Sequence, residues 1–324
     1  MRLPGACWTI DAAAGRAVAE RTLPEEAQDM KLVVTDKGVE QARPIRGIDH
    51  VLVGVRDLES ARETYERLGF TLSPRGRHIG WGTANYCIMF PDDYIELLGI
   101  VDPQQFTNNL NRFLESREGL LGLAFASDDV SLAARALHRA GIAPGEMRDL
   151  KRILEDPEGE VWPRFKLLHL PPEATPGTSA FICQHMTPEL VWKREWSRHA
   201  NSAKGLIAMT SVVKDPSALA IPYAELFGFD RVRAGDGVVE VDCGGVWLRF
   251  TTSAMLGQLH PGLNGAPRQP TPWLAALRIA VEDLGRCATW LERNHMPVHW
   301  DSKKILRVPA QAACGVLLEF AEEV

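Results

Sequence analysis

The feature that most restricts what this chain can fold into is an internal repeat. Residues 47–70, GIDHVLVGVRDLESARETYERLGF, are echoed by residues 205–229, GLIAMTSVVKDPSALAIPYAELFGF. Val55-Arg56-Asp57 falls on Val213-Lys214-Asp215, Tyr65 falls on Tyr223, and both copies end in Gly-Phe. Two fainter copies, GLLGLAFASDDVSLAARALHRAGI (119–142) and WLAALRIAVEDLGRCATWLERNHM (273–296), share the plan of strand, acidic turn and helix. In the first copy Leu58, Ala61, Tyr65 and Leu68 recur at steps of three and four, which predicts one apolar helix face. Asp57, Asp129, Asp215 and Asp283 stand where an N-cap acceptor belongs.

Each copy runs on into short strand-like segments that close on a patterned strand: DYIELLGI (93–100), SAFICQH (179–185), GVWLRF (245–250) and GVLLEF (315–320). The unit is therefore β-α-β-β-β, used four times in two pairs, an α+β design. Residues 46–200 form one predicted domain and 204–324 a second. The polar, aromatic segment WKREWSRHANSAKG (192–205) joins them. A sheet with helices on one face leaves its other face to be covered or to line a cavity. Residues 1–45 are Ala- and charge-rich with weak periodicity, a poorly structured extension, a frayed helix or disorder. Met30 is a conceivable alternative start.

The formal net charge of −6 lacks the basic footprint of a nucleic-acid partner. No apolar run reaches the roughly 18 residues of a membrane span. The six cysteines include no CxxC pair and read as reduced, mostly buried thiols. Together with a start unlike a signal peptide, they predict a cytoplasmic location.

One strand carries an oddity. In GIDHVLVGV, alternation places Ile48, His50, Leu52 and Gly54 on one face and Val51, Val53 and Val55 on the other. The valine face suits the amphipathic helix, so His50 points away from it. In DYIELLGI, Glu96 shares a face with Tyr94 and Leu98, where a carboxylate is costly unless paired or bound to a cation. The alternative for His50 is a semi-buried histidine hydrogen-bonded to a neighbour, and for Glu96 a surface-facing glutamate on an edge.

GIDHVLVGVRDLESARETYERLGF, GWGTANYCIMFPDDYIELLGI and EGLLGLAFASDDVSLAARALHRAGI together resemble the vicinal oxygen chelate superfamily, specifically its glyoxalase-like members. The resemblance is strong over 46–200 and weaker over 204–324. It implies paired βαβββ modules forming two glyoxalase/bleomycin-resistance-like domains whose mixed sheets curl into open cups. It also implies a divalent metal in the cup, with isomerase, lyase, dioxygenase or transferase chemistry on chelating substrates. His50 and Glu96 match the metal-binding positions of the first and fourth strands, and Glu96 matches a glutamate that in some relatives also shuttles a proton. The second module departs from the pattern. Gly122 stands in place of His50, Cys183 falls at the expected fourth-strand position, and His185 two residues on is the candidate third ligand. A register off by one would turn Gln184 inward instead. A His, Glu, His set suits Zn²⁺, Mn²⁺, Fe²⁺ or Ni²⁺ and leaves positions open for water and substrate.

GWGTAN (80–85) supplies Trp81 and Asn85 as candidate substrate-binding residues, since similar runs in relatives lie near the cup. An Asn that satisfies its own turn is the alternative. Trp192, Trp196, His199 and Asn201 could roof the cup, but packing of the two halves is the favoured reading. In the second half Ala208 and Ala276 replace His50, and the closing strands offer Arg249 and Glu319, expected to pair with each other. No GxSxG, P-loop, post-strand GxGxxG or HExxH occurs.

Two functions follow as expectations. One is a metal-dependent enzyme on a small oxygen-rich or α-keto substrate. The other is a metal-free protein that sequesters a small hydrophobic compound, disfavoured by the few aromatics on cup-facing strands. Relatives often pair modules between chains, so a homodimer is one arrangement; four modules in one chain could do without it.

Overall fold

A computed structural model describes residues 9–11, 16–18, 44–156, 158–261, 269–301 and 304–322. The expectation of a poorly structured extension and the alternative start at Met30 fall almost entirely outside the described residues; Thr9–Asp11 and Arg16–Val18 pair as a short antiparallel hairpin.

The first module runs through β1 (Gly47–Gly54), α1 (Leu58–Arg67), β2 (Gly76–His78), β3 (Thr83–Met89) and β4 (Tyr94–Ile100). A short α2 (Leu110–Ser116) leads into the second. That module comprises β5 (Gly119–Ala126), α3 (Val130–Arg139), β6 (Met147–Asp156), the hairpin partner β7 (Gly159–Val161), β8 (Arg164–His169) and β9 (Ala180–His185). These strands form one mixed sheet in the order β8-β9-β5-β1-β4-β3-β2-β6-β7. Its far strand β6 also pairs antiparallel with β8, Arg164 opposite Lys151 and Leu168 opposite Met147. Eight strands thus close on themselves, and the expected open cup is a barrel.

The third module is β10 (Ala203–Val212), α4 (Ala220–Phe227), β11 (Val232–Gly235), β12 (Val238–Asp242) and β13 (Trp247–Thr251). After a one-turn α5 (Leu256–Leu259) the fourth follows: β14 (Trp273–Val281), α6 (Leu284–Arg293), β15 (His299–Trp300), β16 (Leu306–Val308) and β17 (Leu317–Glu322). This second sheet, β11-β12-β13-β10-β14-β17-β16-β15, stays open.

The repeat is written into local chemistry. Asp57 accepts from Ser60 N (2.9 Å), Asp129 from Ser131 N (2.7 Å) and Asp283 from Arg286 N (2.8 Å), each satisfying a first-turn amide of its helix. Asp215 differs: it accepts from Ser217 N, heading a 3-10 turn (Ser217–Leu219), and α4 starts only at Ala220. The valine face of β1 meets α1 as its pattern predicts, with Val51, Val53 and Val55 in one buried cluster with Leu58, Ala61 and Tyr65. That cluster continues into the second half through Phe70 beside Phe320 (6.1 Å between ring centroids) and Phe125 beside Phe227 (5.1 Å). The repeated tyrosines reach across in both directions: Tyr65 OH donates to Ala313 O and Tyr223 OH to Pro176 O. Where β5 begins, Gly119 (φ +120°) lies against Gly315 (φ +82°); a Cβ on Gly119 would strike Gly315 O and one on Gly315 would strike Glu118 O. No described helix is long and apolar enough to cross a membrane.

Candidate metal and substrate site

The barrel encloses a cavity that opens at its mouth. His50 and Leu52 of β1, Tyr94, Glu96 and Leu98 of β4, and Phe181 and Cys183 of β9 line it, along with His78, Trp81 and Arg152. His50 therefore does point into the cup.

Glu96 sits at the centre of the polar cluster, 6% exposed. His50 Nε2 lies 3.5 Å from its Oε2, and His78 Nε2 lies 3.7 Å from its Oε1. Asn85 Nδ2 donates to the same Oε1. Both imidazoles are fixed from behind. His50 Nδ1 donates to Asp49 Oδ2 at 2.6 Å, and His78 Nδ1 is hydrogen-bonded to Thr83 Oγ1 at 2.8 Å. Tyr94 stacks on the His50 ring at 4.4 Å. Burial pushes the His78 imidazole down to about 4, against the pull of Glu96, so it is neutral near pH 7 and has a lone pair to offer.

Two imidazole nitrogens and a carboxylate converging from three strands, each histidine held through its other nitrogen, form the donor set of a borderline divalent cation. Each imidazole nitrogen faces a different oxygen of Glu96, so the residues present suit such an ion by the chemistry of their donors.

His50 and Glu96 are brought together as their faces predict. His185 is placed elsewhere: its Nε2 donates to Asp49 Oδ2 (3.1 Å), while its ring meets Trp192 (4.6 Å) and Phe165 (4.8 Å). Asp49 thus bridges His50 and His185. Burial opposes its ionisation, but the two histidines hold its carboxyl well below the usual range. Strict alternation would send Asp49 to the opposite face from His50; a bulge between Ile48 and His50 in the β1–β5 pairing lets both side chains meet. Asp49, Cys183 and His185 bring one ligand-type atom each within 4.8 Å of one another. Burial pushes the Cys183 thiol far up, with Asp49 and Glu96 adding to it.

The module registers correct one assignment. Glu96 pairs with Leu52, whose counterpart in the second module is Ala124, and Ala124 pairs with Phe181. Phe181, not Cys183, is the true counterpart of Glu96. Gln184 is turned outward, its Oε1 accepting from Val130 N and its Nε2 donating to Asp128 O. Trp81 lies at the cavity mouth, edge-on to Phe106 (5.0 Å). Asn85 is buried on Glu96, its side chain accommodated because Gly76 opposite has no Cβ, which would overlap Asn85 Oδ1. The 192–205 segment packs and does not roof: Trp192 Nε1 donates to Phe90 O, His199 Nδ1 accepts from Thr71 N, and Asn201 Nδ2 donates to Leu68 O.

The second half places Arg249 opposite Thr210 and Glu319 opposite Arg278, the same ladder position as Glu96 opposite Leu52. The expected Arg249–Glu319 pair does not form. Arg249 binds Glu240 (2.7 Å), and Glu319, fully buried, is held by Arg278 Nε and Nη2, Arg307 Nε (2.6 Å) and His260 Nδ1 (2.9 Å). His260, in the stretch after β13, and His78, in a three-residue strand, carried no periodic signal in the sequence.

The family described as Glyoxalase-like domain matches residues 48–227, more than half of the chain. Among solved structures, a hypothetical protein from Staphylococcus aureus aligns at TM-score 0.61 and 12% identity, over 85% of this chain and 99% of its own. A xylose isomerase-like TIM barrel/4-hydroxyphenylpyruvate dioxygenase fusion protein aligns at TM-score 0.52 and 13% identity, over 88% of this chain and 51% of its own. Methylmalonyl-CoA epimerase from Mycobacterium tuberculosis aligns at TM-score 0.36 and 21% identity, over 47% of this chain and 95% of its own. At such identities the first two likenesses concern the fold alone. No curated protein matches by sequence.

Proposed function

Because this chain belongs to the glyoxalase-like domain family of the vicinal oxygen chelate superfamily, we propose that it is a divalent-metal-dependent enzyme of lyase, isomerase or dioxygenase type. Its substrate in this reading is a small oxygen-rich or α-keto compound. The observation that carries the proposal is the turning of His50 and His78 Nε2 onto one carboxylate, Glu96, inside a cavity. His50, His78 and Glu96 would hold the ion, which would supply a Lewis acid to polarise a carbonyl or enolate oxygen of a chelating substrate. Asp49 keeps the His50 ring oriented with Nε2 toward the cup. Asn85 holds one oxygen of Glu96, leaving the other to take or return a proton at the carbon beside the chelated oxygen. All eight strands of the closed barrel come from this chain. Free thiols at Cys87, Cys183, Cys243, Cys287 and Cys314 suit the proposed cytoplasmic location.

The expected result is about one Zn²⁺ or Mn²⁺ per chain by elemental analysis and titration calorimetry, lost in His50→Ala, His78→Ala and Glu96→Ala. The competing reading, sequestration of a hydrophobic compound, is favoured by the apolar wall of Leu52, Leu98, Leu150, Leu167, Phe165 and Phe181, more aromatic than the strand patterns suggest. Wild-type protein that binds no divalent ion, yet retains a hydrophobic ligand, would decide for that reading.

A further inference from the structure

One charged side chain in the cup is used by none of these contacts. Arg152 of β6 is 2% exposed, lines the cavity and stands opposite His78 in the β2–β6 ladder. Its Nη1 donates to Cys87 Sγ (3.2 Å), and its guanidinium lies 5.4 Å from the Phe165 ring centroid. Nε and Nη2 have no hydrogen-bond partner, and no carboxylate among the described residues forms an ion pair with it. Glu96 and Asp49, the anions nearest in the cluster, are already engaged by His50, His78, Asn85 and His185.

Nε and Nη2 share one edge of the guanidinium, the edge that grips a carboxylate with two parallel N–H bonds. The second half shows this chain using that edge: Arg278 places Nε (2.9 Å) and Nη2 (2.7 Å) on Glu319 Oε2. A guanidinium is cationic at any working pH, so a buried one with that edge unpartnered favours an anion against it. We propose that Arg152 binds the carboxylate of the substrate, which makes the ligand an organic acid with an apolar body. This deepens the enzyme reading and rests on it for catalysis, though not for binding. The Arg152–Cys87 contact fixes where the acid lies: Cys87 is directly opposite Glu96 in the β3–β4 ladder. An acid gripped by Arg152 therefore has its neighbouring oxygens beside the metal-type cluster.

The test uses full-length protein treated with chelator, with 3-phenylpropanoate and its uncharged analogue 3-phenylpropanamide as probes in titration calorimetry. Expected is binding of the acid about tenfold or more tighter than the amide. That preference should be lost in Arg152→Met and partly kept in Arg152→Lys, with thermal melts showing both variants folded. Should Arg152→Met fail to fold, competition of the acid by inorganic phosphate on wild type gives the reading. Equal binding of acid and amide, no binding of either, or phosphate binding tighter than the acid would overturn the assignment. Because metal is absent throughout, failure of the metal reading leaves this result unmoved, and the elemental analysis above is blind to Arg152.

Discussion

Glu319→Gln tests whether the second half is held together by its buried charge cluster. Glu319 is fully buried, and removing its charge leaves Arg307, whose side chain is 3% exposed, with one carboxylate, Asp301, where it had two. Breaking a buried ion pair on one side costs about 3–5 kcal/mol. An independent route gives a similar figure. Burial raises the carboxyl, but the hydrogen bonds and charges of His260 and Arg278 outweigh it and hold it at about 2 against an ordinary 4.5. That difference corresponds to about 3 kcal/mol of stability. The depressed value means the contribution is complete above pH 4.5 and lost as pH falls from there toward 2. Urea denaturation followed by tryptophan fluorescence should show Glu319→Gln less stable than wild type by about 3 kcal/mol at pH 7. Between pH 7 and pH 3 wild type should lose about 2 kcal/mol through this group alone, a loss the variant lacks. A variant within about 0.5 kcal/mol of wild type at pH 7, or one with the same acid sensitivity, would refute the reasoning.

Two further perturbations address the first half. Asp49→Asn removes the charge that fixes His50 from behind and should weaken Zn²⁺ binding by about 10–100-fold without changing the donors themselves, read by competition with a chromophoric chelator; unchanged affinity would mean that Asp49 serves His185 alone. Gly76→Ala puts a Cβ onto the Asn85 side chain and should cost about 1–3 kcal/mol in urea, while a variant as stable as wild type would show that Asn85 readily moves off Glu96.

The modular plan was legible because it is periodic: apolar steps of three and four, an Asp before the helices, alternation in the strands. His50 and Glu96 were legible as polar residues on apolar phases. What stayed hidden depends on local breaks in period. Asp49 joins His50 only through a bulge, and no residue type in GIDHVLVGV announces one. His78 sits in a strand of three residues, too short to carry a pattern. The shift from Cys183 to Phe181 arose because two-residue steps keep the same face, so alternation alone does not fix register. Arg152 left a trace: in MRDLKRILED it shares the phase of Leu150 and Leu154, an arginine where the pattern asks for an apolar residue.

The pairing of β6 with β8 has a consequence for traffic. A ring of hydrogen-bonded strands has no seam that can part without breaking a ladder, so the cup does not widen sideways to admit a guest. Arrivals and departures are left to the mouth, where half-buried Trp81 and exposed Asn108 stand at the rim. The aperture, more than the chemistry within, then sets how large a molecule is admitted and how quickly it leaves.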